Sequence, residues 1–199
     1  MRKAIRQSFT KLRKGGRVMA KKDLRFLCYP YMRESASTVD FEIRTDSLTT
    51  RIGMAASLTK DVPDVHRDLM VLLPMAYHLN GSVRGKLAIS DHDLDHLSSI
   101  YDRYVAEVKE QIQTFVLPQG STAACALHAC RSEAKKSVRA LHKVSLEREV
   151  PDILFDYAHL LANVLFVMAV YVNKRQGFEE IPFISKSYPT KPMKKQMEE

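Results

Sequence analysis

The chain has 199 residues, of which 45% are hydrophobic and 27% are charged, a composition typical of one globular domain with a sizeable core. Its seven glycines and eight prolines are too few for an all-β fold rich in turns. The formal net charge of +8 indicates an anionic partner, such as a phosphorylated ligand, nucleic acid or an acidic surface.

The positive charge is concentrated before Asp23, where nine Lys and Arg residues occur without an acidic residue. We interpret this stretch as a solvated basic arm rather than a nucleic-acid-binding arm. An organellar targeting peptide ranks lower, because the stretch holds only two Ser or Thr residues. Residues 24–31 and 38–44 carry β-branched and aromatic residues between breaks, which predicts short extended pieces. We therefore expect residues 1–45 to form a basic, irregular segment.

The remainder of the chain has the periodicity of α-helices. Asp46 is suited to cap a first helix, and Ser90 with Asp93 forms a capping-box pattern before the third. Apolar spacing, caps and glycine stops together predict five helices, over residues 47–57, 63–80, 90–112, 121–143 and 150–173. Because the connections are mostly short, we predict an all-α fold, a five-helix antiparallel bundle over residues 46–180, with a polar tail over residues 181–199.

The cysteines and the hydropathy of the chain indicate the cellular compartment of the protein. The three cysteines, Cys28, Cys125 and Cys130, show no CxxC pairing, so we interpret them as small buried residues of a protein in the reducing cytoplasm. The most apolar run, residues 160–172, is about a dozen residues long, which predicts a core helix and no contact with a membrane.

Two histidine patterns have both a chemical and a structural explanation. His92 and His96 lie one helical turn apart among aspartates, which is a spacing that metal sites use. We favour an exposed, charged first turn, because acidic residues are favourable at a helix N-terminus. His128 follows Cys125 by three residues, and we favour a satisfied interfacial histidine over a nucleophile pair. The sequence therefore predicts no metal site.

A row of cations lies on the fourth predicted helix. Arg131, Lys135 and Arg139 are spaced four residues apart, so they form a ridge about 12 Å long, which we call the cationic ridge. Lys136 flanks it. A triphosphate suits such a row, because charge-assisted hydrogen bonds are strong, although a solvated helix face explains the charge equally well. The small residues that open the helix favour a ligand, since Gly120, Ala123 and Ala124 let another backbone or a flat ligand approach closely.

The stretch FVLPQGSTAACALHACR, residues 115–131, resembles the signature helix of the PduO-type ATP:corrinoid adenosyltransferases. Nine residues are in register with that signature, namely Phe115, Leu117, Pro118, Gly120, Ser121, Ala124, Leu127, His128 and Arg131. The stretches TKLRKGGRV, RTDSLTTRIGMA and VLFVMAVYVN are similar to further motifs of the family. The resemblance spans most of the chain.

The resemblance implies a trimer of five-helix bundles with active sites between subunits. The implied reaction transfers the 5′-deoxyadenosyl group of ATP to the cobalt of a reduced corrinoid and releases triphosphate, with corrinoid, ATP and Mg²⁺ as ligands. Phe115 would press on the lower corrin face and keep the lower axial ligand away from cobalt. Arg131 and Asp46 would be the catalytic residues, with Arg131 binding ATP phosphates and pairing with Asp46 across the subunit interface. Lys135 and Lys136 would bind phosphates too.

Several positions depart from the family pattern. The family's T-R-T-G-D loop, whose backbone holds ATP, should lie before Thr10, but the sequence there is RKAIRQSF. Val138 replaces a glutamate, and His159, Leu160 and Asn163 replace an asparagine, an arginine and an aspartate. The sequence therefore supports two functions, a divergent adenosyltransferase and a non-catalytic relative that binds a corrinoid as carrier, sensor or assembly partner. Nucleic-acid binding is a third hypothesis, which rests on charge alone.

Overall fold

The computed structural model describes residues 24–187, which belong to two units divided after residue 34. The described part of the first unit contains a 3-10 helix, Leu24–Phe26, followed by turns. The described part of the second unit forms five α-helices, namely α1 Ser37–Leu58, α2 Pro63–Ser82, α3 Asp91–Val108, α4 Thr122–Val144 and α5 Asp152–Arg175. The predicted all-α, five-helix bundle is confirmed.

Helix α4 packs against α1 on one side and against α5 on the other. Helix α2 packs on α1, and α3 packs on α5. Buried residues occur along α5 from Leu154 to Asn173, as expected of a core helix. By length and composition alone α5 could cross a membrane, because its apolar stretch is longer than the run of about a dozen residues on which the sequence prediction rests. Most of its apolar stretch is buried inside the bundle, which agrees with the predicted core helix.

The start of α1 differs from the prediction. The helix begins at Ser37 rather than at residue 47, so residues 38–44 are helical rather than extended. Asp46 consequently lies inside α1 and does not cap it. The first turn has no side-chain cap from Ala36; instead, the Ser37 amide donates to a carboxylate oxygen of Glu147 at 3.0 Å. The Ser37 hydroxyl, which also donates to this carboxylate, and secondarily the Ser37 amide lower the pKa of Glu147. The helix thus gains its cap from a residue that follows α4.

Threonines on the buried face of α1 explain why the prediction missed this half of the helix. The Thr45 hydroxyl donates to the Phe41 carbonyl oxygen at 2.8 Å, and the Thr49 hydroxyl donates to the Thr45 carbonyl oxygen at 2.8 Å. Both side chains are buried. Because each hydroxyl is satisfied within its own helix, threonine occupies core positions where the periodicity of apolar residues alone gives no helical signal.

The other four helices begin close to their predicted positions. At the start of α3, the Ser90 amide donates to Asp93 Oδ2 at 2.9 Å and the Asp93 amide donates to Ser90 Oγ at 3.4 Å, so the predicted capping box is confirmed. The Ser90 hydroxyl, which donates to Asp93 Oδ2 at 2.6 Å, and secondarily the Ser90 amide lower the pKa of Asp93. Helix α3 ends at Val108 rather than at residue 112, and residues 109–112 form a turn in which the Gln111 and Ile112 amides both donate to the Val108 carbonyl oxygen.

Burial of the cysteines agrees only partly with the prediction. Cys130 is buried, whereas Cys28 and Cys125 are exposed, and all three thiols are free. Cys125 lies on the outward face of α4, because five residues of helix separate it from Cys130. Most of the predicted basic segment and of the predicted tail lies outside residues 24–187, so the division at residues 45 and 180 stays a prediction.

Ser90→Ala is expected to lower the free energy of unfolding by about 1 kcal/mol, because it removes the acceptor for the Asp93 amide at the start of α3. Urea unfolding followed by circular dichroism measures the change. Ser99→Ala on the same helix is the matched control, since its hydroxyl bonds only to the His96 carbonyl one turn earlier. Equal losses in the two variants would contradict the stabilising role of the capping box.

Candidate corrinoid and phosphate site

The extended segment that begins at Phe115 pairs with the chain that follows α5. The Leu117 amide donates to the Ile181 carbonyl oxygen at 2.9 Å, and the Phe183 amide donates to the Phe115 carbonyl oxygen at 2.7 Å. The rings of Phe115 and Phe183 meet edge to face, with centroids 5.7 Å apart. The segment before α4 is therefore extended, and its partner is a segment that local sequence does not indicate.

Asn173, near the end of α5, fixes the turn that precedes α4. Its Oδ1 accepts a hydrogen bond from the Ser121 amide at 3.1 Å, and its Nδ2 donates to the Gln119 carbonyl oxygen at 2.9 Å. Gly120 has a φ of 118°, and a Cβ at this position would lie 2.0 Å from Asn173 Oδ1. Both conformation and space therefore require glycine. The group that approaches Gly120 closely is this asparagine of the same chain.

A cleft of about 900 Å³ lies beside this turn. The Phe115 segment, α4, α5 and the chain after α5 form its walls, together with residues near and after the end of α3. Its lining is mainly apolar and aromatic and includes Tyr101, Ile112, Phe166, Val167, Phe183 and Ile184. Phe115 also lines the cleft and is 59% exposed. An apolar cleft of this size with few polar groups suits a flat organic ligand.

Arg131 and His128 belong to the polar part of the cleft. The guanidinium carbon of Arg131 lies 5.1 Å from the centroid of the Phe166 ring, within cation–π range. The His128 ring centroid lies 6.2 Å from that of Phe166. Burial, and secondarily the charge of Arg131, lower the pKa of His128 to about 4, so its imidazole is neutral at physiological pH.

Neither ring nitrogen of His128 has a hydrogen-bond partner among residues 24–187. From the sequence, we expect a histidine whose hydrogen bonds are satisfied. Within the described residues of one chain, they are not. Cys125, the other member of the candidate nucleophile pair, is exposed, and its thiol lies 3.7 Å from the Gly120 carbonyl oxygen rather than against the imidazole.

The other residues of the cationic ridge and the flanking Lys136 lie in different surroundings. Lys135 and Arg139 are exposed on α4. Lys136 instead forms an ion pair with Glu133, at 2.8 Å between Nζ and Oε1. Glu133 is 6% exposed, and its carboxylate also lies 3.4 Å from Nε of Arg51 on α1. Lys136 is thus held by a buried carboxylate, whereas Lys135 and Arg139 face solvent.

The predicted catalytic pair is not joined within one chain. Asp46 is exposed on α1, and its Oδ1 accepts a hydrogen bond from the Tyr77 hydroxyl at 2.8 Å. This bond raises the pKa of Tyr77. Arg131 lies at the cleft, against Phe166. Because the predicted contact of Asp46 with Arg131 crosses a subunit interface, it stays a prediction.

The positions that depart from the family pattern lie in different surroundings. Val138 is 8% exposed, so the core accepts the valine where a glutamate would lose hydration. His159 is exposed and lies against His142, with ring centroids 5.9 Å apart. The stretch before Thr10 lies outside the described residues. Within residues 24–187, no group of three or more His, Cys, Asp or Glu side chains is arranged to hold a metal, and His92 and His96 are exposed.

Residues 7–172 match the family described as Cobalamin adenosyltransferase. The chain belongs to this family, and its membership rests on most of the sequence rather than on the signature stretch alone.

Individual relatives are identical to it at about a quarter of the aligned residues. The corrinoid adenosyltransferase of Bacillus subtilis (strain 168) is 24% identical over 146 residues, which cover 69% of this chain and 75% of that protein. The cobalamin adenosyltransferase of Cupriavidus metallidurans is 26% identical over 141 residues, which cover 68% of this chain and 74% of that protein.

Solved structures support the fold. A variant of the PduO-type ATP:corrinoid adenosyltransferase of Lactobacillus reuteri, complexed with cobalamin and ATP, superposes with a TM-score of 0.67 at 17% identity. The match covers 74% of this chain and 83% of that one. A second variant of that enzyme, complexed with ATP, gives a TM-score of 0.65 at 19% identity and covers 75% of this chain and 89% of that one.

Gly120→Ala is expected to lower the free energy of unfolding by about 1–3 kcal/mol, since alanine is strained at this φ and its Cβ would overlap Asn173. Thermal unfolding followed by circular dichroism measures the loss. Gly81→Ala is the control, because a Cβ at Gly81, near the end of α2, meets no atom within 4 Å. We expect that control to be neutral or more stable. Unchanged stability of Gly120→Ala would contradict the role assigned to the Asn173 contact.

Proposed function

We propose that the protein is an ATP:corrinoid adenosyltransferase, which transfers the 5′-deoxyadenosyl group of ATP to the cobalt of a reduced corrinoid and releases triphosphate. One observation carries the proposal. The same cleft contains the exposed ring of Phe115, an apolar lining, and the guanidinium of Arg131. An apolar surface suits the macrocycle, and the cation suits the phosphates of the second substrate.

On the corrinoid side, Phe115 supplies the group that contacts the lower face of the macrocycle. Its ring is exposed toward the cleft while Phe183 supports its edge, so an apolar surface is held in position before the ligand arrives. An aromatic ring below cobalt excludes water and the lower axial ligand. A cobalt without that ligand would be easier for an external one-electron reductant to convert to the nucleophilic Co(I) state, which would attack the 5′ carbon of ATP and displace triphosphate.

On the nucleotide side, Arg131, Lys135 and Arg139 bind the phosphates. Negative charge accumulates on the triphosphate as the bond to the 5′ carbon breaks, so fixed cations along the ridge stabilise the transition state. Lys135 provides charge without the bidentate geometry of arginine. Lys136 contributes at longer range, because its ammonium is paired with Glu133. Mg²⁺ would be carried by the phosphate oxygens, as it is in many nucleotide sites.

A homotrimer in the cytoplasm is part of this proposal. The exposed carboxylate of Asp46 is available to a neighbouring subunit, and Arg131 is the cation that the family resemblance pairs with it. Each active site would then combine the cleft of one subunit with α1 of the next.

The residues proposed to bind the nucleotide give a reason to consider a second function. The residues before Thr10 lack the Gly and Asp of the family's ATP loop, Val138 replaces a glutamate, and Lys136 is held by Glu133. The corrinoid cleft does not depend on any of these positions. A relative that binds the corrinoid without adenosylating it, as carrier, sensor or assembly partner, is therefore the alternative.

One assay separates the two functions. The protein is mixed with ATP, Mg²⁺ and chemically reduced cobalamin, and adenosylcobalamin is followed by absorbance, with a reaction lacking ATP as control. We expect turnover that depends on ATP. Corrinoid binding without turnover supports the alternative, and absence of both binding and turnover contradicts both functions.

Arg131→Ala is expected to lower kcat/KM for ATP by about 100-fold or more, because it removes a cation that stabilises the leaving triphosphate. Steady-state kinetics at saturating corrinoid measure the loss. Arg148→Ala is the matched control, since Arg148 is exposed in the connection between α4 and α5 and does not line the cleft. A similar loss in both variants would show a general effect of net charge instead of a local one.

Lys135→Arg is expected to tighten ATP binding several-fold, by about 1 kcal/mol, since a guanidinium can bind two phosphate oxygens at once. Isothermal titration calorimetry measures the dissociation constant. Lys143→Arg near the end of the same helix is the control and should leave it unchanged. If Lys135→Arg binds ATP as tightly as the unchanged chain does, the phosphates do not bind at this position.

A further inference from the structure

His128 is a buried polar side chain whose hydrogen-bonding atoms have no partner in the described chain. It lies on α4 one turn before Arg131, lines the cleft, and is 7% exposed. A buried polar group without a partner is unfavourable for folding, and native proteins contain few of them. Packing alone does not explain a histidine here, because an apolar side chain of similar size would fill the same volume without an unpaired group.

The surroundings of His128 define what it can bind. Phe166 provides an aromatic neighbour, and Arg131 is the charged group that acts on the imidazole. The ring is neutral, so one nitrogen is a donor and the other is an acceptor. A ligand carboxylate in this part of the cleft would pair with the guanidinium of Arg131, and it could satisfy only the donor nitrogen of a neutral ring. A neutral group that both donates and accepts, such as a primary carboxamide, matches the imidazole.

We propose that His128 is a specificity-determining residue of the cleft, which hydrogen-bonds a carboxamide side chain at the edge of the bound corrinoid. The proposal rests on the proposed function, because corrinoids carry carboxamides around the macrocycle. His128 positions the ligand, whereas Phe115 contacts its face. The unpaired imidazole of the free chain gains its partner on binding, so the residue contributes affinity and lowers the stability of the ligand-free fold.

The test measures cobinamide binding and thermal stability together. Cobinamide retains the carboxamides and lacks the lower nucleotide, so its affinity reports contacts with the macrocycle edge. His128→Phe is expected to weaken cobinamide binding about tenfold, and to leave the melting temperature of the ligand-free protein unchanged or raised. His128→Gln is expected to recover much of the affinity, because its side-chain amide also donates and accepts. His128→Leu is the second apolar variant if the phenylalanine does not fold.

His142→Phe is the matched control, because His142 is exposed on the same helix, lies 4.8 Å from the ring of Phe155, and does not line the cleft. Unchanged cobinamide affinity in His128→Phe overturns the inference. If the only change is a lower melting temperature, the role of His128 is structural. If the only change is the oligomeric state measured by size exclusion, its partner is a neighbouring subunit.

The same experiment separates this inference from the proposed function. Cobinamide affinity that depends on His128, in a protein without adenosyltransferase turnover, supports the inference and contradicts the proposed reaction. Turnover combined with a cobinamide affinity that does not depend on His128 supports the proposed reaction and contradicts the inference. No cobinamide binding by the unchanged chain contradicts both.

Discussion

The contact between Asn173 and the turn at Gly120 is the interaction on which the cleft depends. The asparagine is fully buried near the end of α5, and its amide holds the backbone on both sides of the glycine. Its Nδ2 also donates to Glu180 Oε1 at 2.9 Å, which fixes the chain after α5 to the same point. Burial of Glu180 raises its pKa. One side chain therefore sets the direction of the Phe115 segment, the start of α4 and the partner segment of Phe183.

The two sides of the candidate site are built differently as a result. The proposed corrinoid side is formed by contacts within one chain, since the backbone pairing and the ring contact of Phe115 with Phe183 need no other subunit. The proposed phosphate side consists of cations on α4, of which Lys135 and Arg139 are exposed and Lys136 is paired with a buried carboxylate. Exposed charges bind weakly unless a second surface excludes water from them. Under the proposed function, turnover would therefore depend on a surface that covers α4.

The helices from α2 to α5 could be predicted because their signals are local: apolar spacing, Pro63 at a helix start, and the reciprocal bonds of Ser90 and Asp93. The first half of α1 could not, because its cap comes from Glu147 and its buried face includes threonines. The cleft combines residues that have a local sequence signal with contacts that only the fold creates. Phe115 and Arg131 were found from one contiguous motif, whereas the contacts with Asn173 and Phe183 join residues far apart in sequence. The missing partner of His128 is a tertiary property without a sequence signal.

Arg131 marks the boundary between the two sides. Its guanidinium lies over Phe166 in the apolar lining, and the cationic ridge continues from it along α4. A cation that rests on an aromatic ring is oriented by it while its N–H groups stay available to an anion. The same charge helps to keep His128 neutral, so the polar end of the cleft offers a neutral hydrogen-bonding group and, one turn later, a fixed positive charge. Under the proposed function, these two residues one turn apart on α4 would separate the neutral edge of a macrocycle from the phosphates of a nucleotide, and the reacting atoms would meet where those two ligands adjoin.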